Sequence, residues 1–150
     1  MRRVIASFFG TGLILGRLTK RNAGSGTLAS GAALLLALAV RPAGVGWQLA
    51  VLVATVLIGL WAVGGFVEVE GDAGWMVIDE AAGTFLATLG TSGWAAAAGW
   101  AVFRIADINK RWFPGVAAAE RLPSAWGVMA DDLVAGVYGL GAAVLVGSFL

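Results

Sequence analysis

Apolar residues gather in stretches at about 26–40, 45–66, 75–90, 92–106 and 133–150. Turn-forming residues separate them, with Arg41-Pro-Ala-Gly44 after the first and Gly90-Thr-Ser-Gly93 between the third and fourth. Pro114 and Pro123 bracket an irregular segment before the last. A full crossing of a bilayer needs about 20 residues at 1.5 Å each, and only 45–66 supplies that cleanly. The other stretches are short or carry charge, and read as tilted, broken or partly buried helices. The opening Met1-Arg-Arg superficially resembles a secretory signal. Gly10, Gly12 and Gly16 interrupt the apolar run after it, however, and no small-x-small cleavage site precedes Arg17. Residues 4–16 therefore read as a retained amphipathic helix at the membrane interface. The pattern predicts an all-α fold: a polytopic membrane helix bundle of roughly four to five apolar helices plus the N-terminal amphipathic one. No internal repeat or low-complexity linker divides the chain, so 1–150 reads as a single membrane-embedded domain.

Composition strengthens the membrane reading. Of the residues 59% are apolar and 13% are charged, against about 25% charged in a soluble domain. The mean hydropathy is +0.87. The 23 glycines suit close helix packing and the seven tryptophans suit interfacial anchoring. Absent cysteine excludes disulfides, thiol nucleophiles and thiolate metal sites. Absent histidine removes imidazole acid–base catalysis, phosphohistidine intermediates and His-ligated zinc. Titratable chemistry is left to Asp, Glu, Lys, Arg and Tyr138. The net charge of +1 offers no basic field for nucleic acid.

Threading the stretches alternately across a membrane gathers Arg2, Arg3, Arg17, Lys20, Arg21, Arg104, Lys110, Arg111 and Arg121 on one side, leaving Arg41 on the other. The positive-inside rule makes the basic side cytoplasmic. All nine acids fall on that side too, although acids do not obey the rule. Five of them lie within apolar surroundings: Asp79-Glu80, Asp107 and Asp131-Asp132. A carboxylate near the bilayer centre costs roughly 2.5 to 3.5 kcal/mol, and no fold demands that cost repeatedly. The expectation is one cytoplasmic-side site assembled from several helix ends.

Each motif has a functional and a plain reading. Asp79 and Glu80 diverge by about 100° on a helix, so one could bind a metal while the other orients a ligand or a second helix. A solvated interfacial pair is the alternative. Gly83 lets another helix approach, which favours a packed site. Arg104, Asp107 and Lys110 share a helix face: an ion pair, or cations clamping a phosphate beside a metal-ligating carboxylate. Asp131-Asp132 is expected to open the last helix, where one acid would suffice for capping. Clustered oxygen ligands without His or Cys point to Mg²⁺, with Mn²⁺ and Ca²⁺ as the other hard cations. Thr27 and Ser30, in Gly24-Ser-Gly-Thr-Leu-Ala-Ser30, combine helix-start N–H groups with small hydroxyls, a phosphate cradle or a flexible capped entry. Glu68, Glu70 and Asp72 read as a solvated acidic loop.

In order, Ser25-Gly-Thr-Leu-Ala-Ser30, Val77-Ile-Asp-Glu-Ala-Ala-Gly83, Phe103-Arg-Ile-Ala-Asp-Ile-Asn-Lys110 and Gly127-Val-Met-Ala-Asp-Asp-Leu-Val-Ala-Gly-Val-Tyr138 resemble the phosphatidylglycerophosphatase A family. The resemblance implies a Mg²⁺-dependent phosphatase of the bacterial inner membrane that converts phosphatidylglycerophosphate to phosphatidylglycerol. It places Asp79, Glu80, Asp107, Asp131 and Asp132 at family motif positions. Ser25 stands where the family tends to have Pro, and Arg111-Trp-Phe-Pro114 departs from its Pro-x-Pro. Both departures fall in substrate-loop positions.

The resulting expectation assigns catalysis to Asp79, Asp107, Asp131 and Asp132, metal binding to those four and Glu80, and substrate binding to Thr27, Ser30, Arg104 and Lys110. Without a Cys-x5-Arg loop, an Asp-x-Asp-x-Thr/Val motif or histidine, metal-activated water with an Asp base is favoured, and an aspartyl-phosphate stays open. The competing class is a small ion-coupled carrier using clustered carboxylates. A carrier should place polar groups near the midplane and use both faces, which this threading does not.

Overall fold

The computed structural model describes residues 1–14 and 24–150. The described chain is all-helical. In order it forms α1 (Arg2–Ala6), α2 (Ser25–Val40), α3 (Val45–Val63), α4 (Val67–Glu70), α5 (Ile78–Ala87), α6 (Gly93–Ile108), α7 (Val116–Ala119) and α8 (Ala125–Gly147), and residues 11–14 are helical as well. The single N-terminal helix expected over 4–16 is interrupted. Phe8, Phe9 and Gly10 all adopt positive φ, and the Ser7 hydroxyl accepts the Gly10 N–H at 3.1 Å, a local bond that competes with helix continuation. The end of that expected helix, with Arg17, Lys20 and Arg21, lies outside the described residues.

Among the described residues, three helices are long and apolar enough to cross a membrane: α2 with its continuation to Ala43, α3, and α8. The sequence pattern credits only the second. The last helix is longer than its apolar run because it begins at Ala125 and takes in Asp131 and Asp132, which are buried against neighbouring helices. The acid pair therefore lies inside the helix rather than at its cap.

Helix ends fall where the turn residues stand. Pro42 cannot donate to the α2 ladder, so the chain tightens into a 3-10 turn over Arg41–Ala43. It reverses through Gly44 at φ 97°. α5 (10 residues) and α6 (16 residues) form a hairpin through Gly90–Gly93. The Gly90 N–H donates to Gln48 Oε1 at 2.9 Å, fixing the hairpin tip beside the start of α3.

At the opposite end, Arg2 stacks over Trp61 and Arg3 over Trp75, at 4.7 and 4.8 Å. The alternating directions of α2, α3, α5, α6 and α8 bring the described acids, Arg104, Lys110, Arg111 and Arg121 to this same end. Among the described residues Arg41 is the charge at the other.

The tightest packing joins α6, α5 and α8. A Cβ at Gly139 would meet Gly99 O, Ala87 Cβ and Phe103 Cβ, and one at Gly136 would meet Gly83 O. Small residues thus let three backbones approach within side-chain-free distance. Outside, Leu35, Leu57, Val53, Val144 and Leu145 are exposed. That apolar exterior suits lipid rather than water. Trp47 and Trp61, both exposed, lie toward opposite ends of α3, about 21 Å apart at 1.5 Å per residue, as interfacial anchors do.

Candidate active site

Asp79 and Glu80 occupy the first turn of α5 and Asp132 lies within α8. One carboxylate oxygen from each comes within 4.8 Å of the others. Gly83 makes this possible, because the Asp132 carbonyl and the Phe103 ring occupy the space a side chain there would need. Gly26 does the same on the other flank, since a Cβ at that position would overlap the Glu80 carboxylate. The Ser25-Gly26-Thr27 start of α2 thus lies against the site through a missing side chain. Ser25 Oγ donates to Gly74 O at 2.6 Å and ties this start to the loop before α5.

Two ion pairs border the group. Arg104 Nη1 donates to Asp107 Oδ2 at 2.6 Å, and its Nη2 reaches Thr27 Oγ1 at 3.4 Å. Lys110 Nζ donates to Asp131 Oδ2 at 2.6 Å and to Glu120 Oε1 at 2.7 Å. Burial works against the Lys110 charge, but its bonds to Asp131 and Glu120 outweigh it and raise the ammonium above its ordinary value. Lys110 is therefore a fixed cation.

With Arg104 bound to Asp107 and Lys110 to Asp131 and Glu120, Asp79, Glu80 and Asp132 have no cation hydrogen-bonded to them among the described residues. Burial pushes the Asp79 carboxyl well above its ordinary range, and the Glu80 charge adds to the rise. Glu80 is pushed up to about 6, again chiefly by burial, against the opposing pull of Asp79 hydrogen bonding and Arg104. Its Oε2 is buried with no hydrogen-bond partner, and so is Arg104 Nε. A buried carboxylate oxygen left unpaired costs free energy. Three converging carboxylates, oxygen donors only and an orphaned oxygen suit a hard divalent cation. These residues fit such an ion.

The residues expected from sequence separate into distinct places. Asp79, Glu80 and Asp132 converge. Asp107 faces Asp132 from α6 while holding Arg104. Asp131, one residue from Asp132, turns to Lys110. The simple Asp107–Lys110 pair suggested by their spacing does not form, because Arg104 takes Asp107 from one helical turn away. Thr27 is exposed beside Arg104. Ser30 is fully buried; its hydroxyl donates to Thr27 O and accepts from Trp100 Nε1, both at 3.1 Å. That places Ser30 in the packing of α2 on α6. Gly26 and Glu120 are not singled out by sequence. The glycine stands in a motif that reads as a phosphate cradle, and Glu120 lies in a segment with no periodic pattern.

Fold and site together define an integral membrane protein of helical-bundle architecture, with an acidic, cation-bordered site at one end. The chain matches the phosphatidylglycerophosphatase A family over residues 4–147, nearly its whole length, and belongs to that family. The family is one of lipid phosphatases acting on phosphatidylglycerophosphate. No curated protein and no solved structure gives a significant match.

Proposed function

We propose that this protein is one membrane-embedded phosphatase domain that hydrolyses the terminal phosphomonoester of phosphatidylglycerophosphate in a Mg²⁺-dependent reaction at the cytoplasmic face. The observation that carries this reading is the convergence of Asp79, Glu80 and Asp132 without a cation bonded to them, next to Arg104 and Lys110. Phosphomonoester hydrolysis is among the slowest uncatalysed reactions, so positive charge must be concentrated on the phosphoryl oxygens. Asp79, Glu80 and Asp132 would hold the ion, which when bound supplies part of that charge.

The chain's own groups supply the rest. Arg104 is oriented by Asp107 and Thr27, and its guanidinium offers the planar donor fork that matches phosphate oxygens. Lys110 adds a second cation, held in place by Asp131. Asp107 and Asp131 are therefore positioning residues in this reading. Asp79 is the base in this reading, accepting a proton from the attacking water. The phosphorus–oxygen ester bond breaks as the water oxygen bonds to phosphorus, and the leaving glycerol oxygen takes up a proton. The acyl chains stay in the bilayer throughout.

The test is phosphate release from phosphatidylglycerophosphate by the purified protein in detergent, with Mg²⁺ and then with excess chelator. Release that the chelator stops and Mg²⁺ restores is the expected result. Release unaffected by chelator would remove the metal from the reading. No release in any divalent metal by folded protein would remove the substrate.

A further inference from the structure

Beside the carboxylate group is a cleft of about 450 Å³, of whose lining only Lys110 takes part in the hydrolysis proposed for this site. Its walls come from the turn after α6 and the segment before α8, and include Asn109, Lys110, Arg111, Trp112, Glu120 and Arg121. Three cations and one carboxylate face the same space. Lys110 is already bonded to Asp131 and Glu120. Arg111 and Arg121 are exposed and have no acidic partner among the described residues. Both guanidiniums line this one cleft, and their planar forks match phosphate oxygens.

The depth of the cleft narrows the choice of anion. Arg121 lies just before the start of α8, a helix long and apolar enough to cross a membrane, and Trp112 and Trp126 are exposed around it. Exposed tryptophans at a helix end mark the headgroup level of a bilayer. Lys110 joins the cleft to the catalytic group, lining one and binding Asp131, the neighbour of Asp132.

We propose that this cleft binds the phosphodiester of the lipid headgroup through Arg111 and Arg121 while the terminal phosphomonoester lies at Asp79, Glu80 and Asp132. The inference rests on the proposed substrate and deepens that reading. Phosphatidylglycerophosphate carries both phosphates, joined by glycerol, and engages both sites with Lys110 between them. Phosphatidate carries only a phosphomonoester and engages one. The cleft is then what selects the longer headgroup.

The experiment measures kcat and KM on phosphatidylglycerophosphate in mixed micelles for three proteins: wild type, the Arg111→Gln/Arg121→Gln pair and the Arg111→Lys/Arg121→Lys pair. Wild type is also assayed on phosphatidate. The Gln pair is expected to raise KM by about tenfold or more, the scale of lost charge-assisted hydrogen bonds, with kcat within about twofold. The Lys pair, which keeps charge but not the fork, should recover part of the loss. Wild type should prefer phosphatidylglycerophosphate. An unchanged KM in the Gln pair, or equal wild-type turnover of both lipids, overturns the subsite and leaves the phosphatase reading standing. Wild type inactive on phosphatidylglycerophosphate overturns both, and is recognised because the loss precedes any substitution.

Discussion

Asp131 and Asp132 are adjacent, identical and both buried, yet the chain uses them differently. Asp131 is neutralised by Lys110, whereas Asp132 joins two other carboxylates. Asp132→Asn is expected to lower phosphate release by at least about a hundredfold, beyond the usual effect of disturbing a ligand's supporting shell. It should leave the melting temperature in detergent unchanged or higher, because it removes an uncompensated buried charge. Asp131→Asn should act mainly through Lys110, raising KM more than it lowers kcat. Equal loss of kcat in both variants would contradict this division. Gly26→Ala tests the other flank. The new methyl meets the mobile end of Glu80 rather than backbone, so the fold should survive while Mg²⁺ affinity, measured calorimetrically, drops by about tenfold or more. These acids were legible in the sequence because carboxylates in apolar surroundings need a reason to be there. Which of them converge was not legible, since adjacent side chains on a helix diverge and only the packing of α2, α6 and α8 decides what each one meets.

Among the elements, α8 organises the site, since it packs against both α5 and α6 through Gly136 and Gly139. Gly139→Ala would push a methyl onto the backbone of Gly99, which cannot rotate away. A loss of about 1–3 kcal/mol is expected, read as a lowered melting temperature in detergent. Gly141→Ala is the control, because its surroundings are open, and it should be neutral. Equal effects at the two positions would show that helix propensity, not packing, governs α8. The helical class and the turns at Arg41–Gly44 and Gly90–Gly93 could be read from apolar runs and turn chemistry. Helix lengths could not. Asp131 and Asp132 broke the last apolar run, yet their burial inside the bundle lets α8 begin well before it. The N-terminal segment misled in the opposite sense, because it reads as one amphipathic helix yet breaks where Phe8 and Phe9 take positive φ.

For the whole molecule, the gathering of described charge at one end carries a topology. The chain has no cysteine, so single introduced thiols report sidedness cleanly. In intact cells or right-side-out vesicles, Ala43→Cys at the Arg41 end should react with an impermeant maleimide. Ala118→Cys, in α7 beside the cleft, should react only after the membrane is opened. The reverse pattern would place the site on the outer face.

The depth of the site within the bundle has a further consequence, for the bilayer itself. α6 has 16 residues and measures about 24 Å, while the hydrocarbon core is about 30 Å thick. The tip of the α5–α6 hairpin is fixed beside the start of α3, and Asp132 lies about 10 Å along α8 from Ala125. The carboxylates thus lie about two helical turns inside the start of α8. Were the bilayer to thin around this short helix, at modest cost, lipid phosphates would be drawn down toward Glu80 and Asp132. Bilayer thickness then becomes a determinant of turnover: in reconstituted vesicles the rate should rise as the acyl chains of the host lipid shorten, and a rate indifferent to chain length would mean that the substrate, not the membrane, travels that distance.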